Sequence, residues 1–182
     1  MKRYLRFIKE MLVYAHQCGV PCVTIEPMSC LAEPPTLPEE IRAWGEEVTA
    51  YHRAHPDHTA AFGYCVDVAH GYADRDGRVV WDHMQLLQTA LPHTYALHLK
   101  NTDQYYEATL GFTEEERERG IIQIAAVREL VLAHADQIPV DTLVGYLEVS
   151  GPKLGRDYSD HKLEKQLRES FRYLKGVWDT KI

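Results

Sequence analysis

Four short apolar runs alternate with amphipathic helical patterns along the whole chain. The runs are Cys22-Val23-Thr24-Ile25-Glu26, the stretch from Ala61 to Asp67, Tyr95-Ala96-Leu97-His98-Leu99, and the stretch from Leu143 to Val149. Ahead of the first run, Leu5, Ile8, Leu12 and Ala15 recur at helical spacing until Gly19 and Pro21 stop the helix. A second helix is predicted from Thr36, with Glu39 as the reciprocal acid of a capping box and Ile41, Trp44, Val48 and Tyr51 as its stripe. Asp82 caps a third, which carries Leu86, Leu87, Ala90 and Leu91. Ile121, Ile124, Val127, Leu130 and Val131 form the stripe of a fourth, and Leu163, Leu167, Phe171 and Leu174 that of the last. The order is α followed by βα four times, which predicts an α/β fold with a parallel sheet of about four strands covered by helices. No low-complexity tract or Gly/Ser linker interrupts it, so residues 1–182 are expected to form a single domain.

Each run carries one ionisable side chain at or near its C-terminal end: Glu26, Asp67, His98 and Glu148. Parallel strands bring those ends to one edge of the sheet, where α/β folds build their sites. Three carboxylates and an imidazole gathered there repel one another unless a cation sits among them. A divalent metal site is therefore expected on Glu26, Asp67, His98 and Glu148. Three oxygen donors with one nitrogen suit Mn²⁺ first, and also Mg²⁺ or Co²⁺, while Zn²⁺ more often takes thiolates or further histidines. Two coordination positions would stay open for substrate oxygens.

Charge and composition narrow the partners. The 182 residues have a formal net charge of −7, which argues against a nucleic-acid partner or an anionic membrane surface. No apolar stretch approaches the ~20 residues of a membrane span. Arg6, Lys9 and Glu10 break the apolar residues of the N-terminal segment, which reads as an amphipathic helix and not as a signal peptide. Cys18, Cys22, Cys30 and Cys65 lack the paired spacing of a zinc site and read as small buried thiols of a cytoplasmic protein.

The segments VTIEPM, GYCVDVAHGYA, YALHLKNTD and VGYLEVSGP resemble the last four strands of xylose-isomerase-like sugar isomerases and epimerases, with ketose 3-epimerases of the D-tagatose type as the mechanistic model. The resemblance implies a (β/α) TIM-barrel type fold, of which this chain matches the C-terminal half. It places the family's metal-binding glutamate, aspartate, histidine and second glutamate on Glu26, Asp67, His98 and Glu148. The family's second histidine, three residues after the aspartate, falls on His70 and implies contact with a substrate oxygen. Where those epimerases carry an arginine six residues after the metal histidine, this chain has Gln104, and Lys100 is offered to substrate oxygens instead.

The loop after the last strand, Gly151-Pro152-Lys153-Leu154-Gly155-Arg156, supplies Lys153 and Arg156 as candidates for binding a phosphate. The implied activity is interconversion of sugar stereoisomers, a ketose or ketose phosphate such as a tetrulose phosphate, by proton transfer next to a carbonyl. Glu26 and Glu148 would take the proton on one face and return it on the other. Tyr105, Tyr106 and Phe112 are candidates for a lid over the site. The charge run from Thr113 to Arg119 reads as a capped, solvated helix start. Since the family barrel has eight strands, the match to its second half leaves two outcomes: a piece of a longer protein, or copies that associate as a homo-oligomer. Two competing functions are weighed: a half-barrel binding module without activity, and a multi-metal phosphodiesterase of the endonuclease-IV type, which would need more histidines at the strand ends.

Overall fold

A computed structural model of the chain describes residues 2–149 and 161–179. The elements run α1 (Lys2–Gln17), β1 (Cys22–Ile25), α2 (Pro38–Ala54), β2 (Ala61–Asp67), β3 (Tyr72–Ala73), β4 (Val79–Trp81), α3 (His83–Ala90), β5 (Thr94–Leu99), α4 (Glu114–Arg119), α5 (Ile124–Ala133), β6 (Val144–Leu147) and α6 (His161–Trp178). Strands β1, β2, β5 and β6 form one sheet in that order, every pairing parallel. The expected α(βα)₄ order is borne out.

One face of the sheet is covered by helices. Phe62, Tyr64 and Val66 of β2 project to it with Leu97 and Leu99 of β5, against Leu5, Ile8 and Leu12 of α1 and Ile41, Trp44 and Val48 of α2. The Tyr64 hydroxyl donates to the Ile41 carbonyl at 2.7 Å, which satisfies a buried polar group and ties β2 to α2. Gly45 lets α2 approach this closely, since a Cβ there would lie 2.3 Å from the His93 ring.

The β2–β5 pairing contains a bulge that sets up the site. Tyr64 pairs with Thr94, but Cys65 pairs with Ala96, so Tyr95 is the extra residue on β5. Thr94 faces the helices, fully buried, and its hydroxyl donates to Ala90 O. Simple alternation would send His98 to that same face. The inserted Tyr95 reverses the phase, and His98 comes into register with Asp67. Tyr95 lies over Gly63, where a Cβ would come within 2.1 Å of its ring.

Several local expectations are corrected. The second helix starts at Pro38, with Leu37 as the cap residue and Glu40, not Glu39, as the reciprocal acid. Glu40 Oε2 accepts from the backbone N–H groups of Thr36 and Leu37, while the Thr36 hydroxyl donates to Cys30 O. Proline supplies the preset φ of a first helical residue, which moves the start two places on. Ile121 precedes α5 outside any helix, and the charge run forms its own short helix, α4, capped by Thr113 and Glu116. Asp82 caps α3, as expected. A small antiparallel hairpin, β3–β4, was not foreseen. Of the cysteines only Cys65 is buried; Cys18 and Cys30 are exposed, because both lie in turns beyond the ends of elements. Phe112 is core and not lid, 1% exposed and stacked on Tyr173 at 5.8 Å.

Candidate metal centre

The four strand ends deliver their side chains to one place. Asp67 is the last residue of β2 and His98 the penultimate residue of β5, while Glu26 and Glu148 directly follow β1 and β6. One ligand-type atom from each lies within 4.8 Å of the others. His98 Nδ1 stands 3.3 Å from Glu26 Oε2 and 3.1 Å from Glu148 Oε2. Asp67 is fully buried, and the other three are partly open to solvent. The sheet thus supplies a closed floor and an accessible mouth.

Backbone contacts fix the orientation of this set. The Ala69 N–H donates to Asp67 Oδ1 at 2.8 Å, which leaves Oδ2 turned towards the cluster. His70 Nδ1 lies 2.7 Å from the Pro27 carbonyl, and since a carbonyl only accepts, Nδ1 carries the proton. His70 Nε2 is thereby presented to Asp67 Oδ2 at 3.3 Å and to Lys100 Nζ at 3.3 Å. Lys100 Nζ donates to Glu148 Oε1 at 3.4 Å and lies 2.5 Å from Asp67 Oδ2, an ion pair without the direction of a hydrogen bond.

The electrostatics follow from this crowding. Burial alone would raise the Glu26 carboxyl, but close contact with the His98 imidazole and the charges of His70, His98 and Lys100 hold it below the usual glutamate value. The His98 imidazole is pulled up to about 10 by its contacts with Cys65 and Glu26, against the opposing effect of burial. Burial would lower Lys100, yet Asp67 and Glu148 outweigh it and keep the ammonium charged.

The donor set fits a divalent cation. Asp67 Oδ2 and His98 Nδ1 are buried and face only charged neighbours, none of which among the described residues makes a well-directed hydrogen bond to them. Around an octahedral ion with bonds of about 2.1 Å, donors lie about 3 Å apart when adjacent and about 4.2 Å when opposite. A spread of 4.8 Å among the donor atoms is close to the longer of those separations.

All four expected ligands are thus brought together, with His70 and Lys100 beside them. Lys153 and Arg156 lie outside the described residues. Tyr106, one of the lid candidates, has φ 62° and packs on Gly71, where a Cβ would come within 2.2 Å of its ring. Its hydroxyl accepts from His83 N at 3.2 Å, so it braces the turn behind His70. Cys65, in contact with the His98 ring, was not singled out from the sequence. Its signal was available, because it stands two residues before Asp67 and alternation puts both on one face.

No family model and no curated protein sequence matches the chain. Among solved structures it is similar to a candidate xylose isomerase from Rhodospirillum rubrum, with a TM-score of 0.61 and 16% sequence identity. The superposition covers 98% of this chain and 53% of that one. This chain has the fold of half a xylose-isomerase-like barrel. It spans about half the length of the structure it matches, and the likeness is one of fold. The four-stranded parallel sheet belongs to that half-barrel architecture.

Proposed function

We propose that the chain carries the metal centre of a divalent-metal-dependent sugar isomerase or epimerase, acting on a ketose or ketose phosphate. The observation that carries this reading is the convergence of Glu26, Asp67, His98 and Glu148, one ligand-type atom of each within 4.8 Å of the others. Mn²⁺ is the first candidate, and Lys153 and Arg156 in the loop that follows the last strand in sequence would suit short substrates such as tetrulose phosphates. In this reading the setting is cytoplasmic, without nucleic acid, and the half-barrel is completed either by further copies in a homo-oligomer or by the rest of a longer protein. Among the described residues no helix is long and apolar enough to cross a membrane.

In this reading Glu26, Asp67, His98 and Glu148 hold the cation. When bound, it stabilises the negative charge that develops on the substrate carbonyl oxygen, a contribution of about several kcal/mol. Each glutamate turns Oε2 to His98 and keeps Oε1 elsewhere: Glu26 Oε1 lies 3.6 Å from His70 Nδ1, and Glu148 Oε1 lies 3.4 Å from Lys100 Nζ. One glutamate removes the proton from the carbon next to the carbonyl, and the other returns a proton from the opposite face, which inverts that centre. General acid–base action of this kind contributes about 10²–10⁴-fold. His70, held by Pro27, and Lys100 orient the substrate oxygens, while Lys153 and Arg156 bind a terminal phosphate.

The test is exchange of the substrate C–H proton with D₂O, followed by NMR over a panel of ketoses and ketose phosphates in the presence of Mn²⁺. Exchange that Glu148→Gln abolishes supports the assignment. Exchange that persists in that variant removes Glu148 from the chemistry. Absence of exchange across the panel, with Mn²⁺ bound, favours a binding module.

A further inference from the structure

Lys100 stands inside the ring of carboxylates, its side chain only 9% exposed. Its neighbours are Asp67 Oδ2, Glu148 Oε1 and His70 Nε2. Two of these belong to the donor set, and Asp67 Oδ2 is the oxygen left over once Oδ1 has accepted the Ala69 N–H. A divalent cation on this set needs that same oxygen. Two positive charges against one carboxylate oxygen repel strongly in a half-buried site. Conversely, three carboxylates with no cation among them would repel one another, and the ammonium relieves that repulsion.

The attachment of Lys100 allows it to move. The next residue, Asn101, is fully buried and pinned by reciprocal backbone hydrogen bonds with Leu110 at 2.8 Å, so the Lys100 backbone is fixed. The four-carbon stem above it carries the only freedom the ammonium needs.

We propose that Lys100 is a built-in counter-ion of the metal centre: its ammonium neutralises the donor set until a divalent cation displaces it from Asp67. Ammonium and metal ion therefore bind antagonistically. The inference rests on the metal-centre reading above and adds a positioning role for Lys100 that precedes substrate. The displaced ammonium is released within the same mouth, where a substrate oxygen can receive it.

The experiment titrates Mn²⁺ into the wild-type chain, Lys100→Gln and Asp67→Asn by calorimetry, with melting curves of each protein with and without the metal. Lys100→Gln should bind Mn²⁺ at least about tenfold more tightly than wild type, because a like charge near the ion is removed. Without metal the same variant should melt lower, and its metal-induced rise should be larger. An affinity equal to or weaker than wild type overturns the inference. Wild-type binding that is absent, or that survives Asp67→Asn, overturns the metal reading itself and the inference with it. Should Lys100→Gln fail to fold, acetylation of wild-type Lys100 by acetic anhydride, read by mass spectrometry, decides the matter. Mn²⁺ should speed modification of Lys100, and an unchanged or slower rate overturns the inference.

Discussion

Asp67 is the residue on which the site turns. It is 1% exposed, one oxygen is committed to Ala69 N–H, and the other has Lys100 beside it without a hydrogen bond. Asp67→Asn keeps the size and an acceptor for Ala69 but removes the charge. Loss of a supporting partner around a metal usually costs about 10–100-fold in affinity, and loss of the ligand charge should cost at least as much. An Mn²⁺ titration in which Asp67→Asn stays within a few-fold of wild type would exclude it as a ligand. Trp44 marks the opposite end of the molecule's energetics, 1% exposed in the helix-facing core. Trp44→Ala should cost about 3–5 kcal/mol in denaturant unfolding, through lost burial and the cavity left behind.

Two elements owe their positions to contacts rather than to their own patterns. Helix α4 has no buried residue, and Glu116 holds it in place. Its carboxylate accepts from the N–H and hydroxyl of Thr113 at the helix start and from the Gln166 amide of α6. Burial would raise the Glu116 carboxyl, but these donors and the Gly111 N–H hold it below the usual glutamate value. A depressed folded-state value means the contribution is present above the ordinary glutamate range and is lost as pH falls through the lowered value. Glu116→Gln should therefore cost about 1 kcal/mol near neutral pH, the scale of a helix cap. The gap to wild type should close in acid. A gap that widens in acid would contradict this account. The bulge on β5 makes a second case. Gly63→Ala would drive a methyl into the Tyr95 ring and should cost about 1–3 kcal/mol, as overpacking does. Pairing it with Tyr95→Ala should recover most of that loss in a double-mutant cycle.

At the scale of the whole molecule, the proposed metal centre would couple distant parts of the chain. Its donors come from β1, β2, β5 and β6, so a cation bound there joins every strand of the sheet. A ligand that binds only the folded state stabilises it by about 2.7 kcal/mol at 100 times its dissociation constant. The melting temperature should accordingly rise with Mn²⁺ and fall back with a chelator, and Glu148→Ala should lack the response. No response in wild type would mean that the donors do not act together. The sheet also exposes Val144 and Tyr146 on β6, an apolar surface on a strand at its edge.

The order of elements was legible because burial patterns are local: stripes at 3.6-residue spacing and short β-branched runs declare themselves without knowledge of their partners. The four candidate ligands were legible as a cluster for the same reason, since a polar residue ending an apolar run stands out, and parallel pairing sends all such ends to one edge. What only the tertiary structure decided depends on register and on groups that meet across the chain. Tyr95 reverses the phase of β5 through its pairing with β2, and nothing in Thr94 to Leu99 alone announces a bulge. The hairpin β3–β4 is too short to carry a periodic signal. Glu40 displaced Glu39 because Pro38 set the first turn of α2. Lys100 could be read as a charge near the site, but its place between Asp67 and Glu148 arises from three strands folding together. A sequence encodes which groups are present and their local periodicity; the distances at which charges meet are properties of the folded sheet.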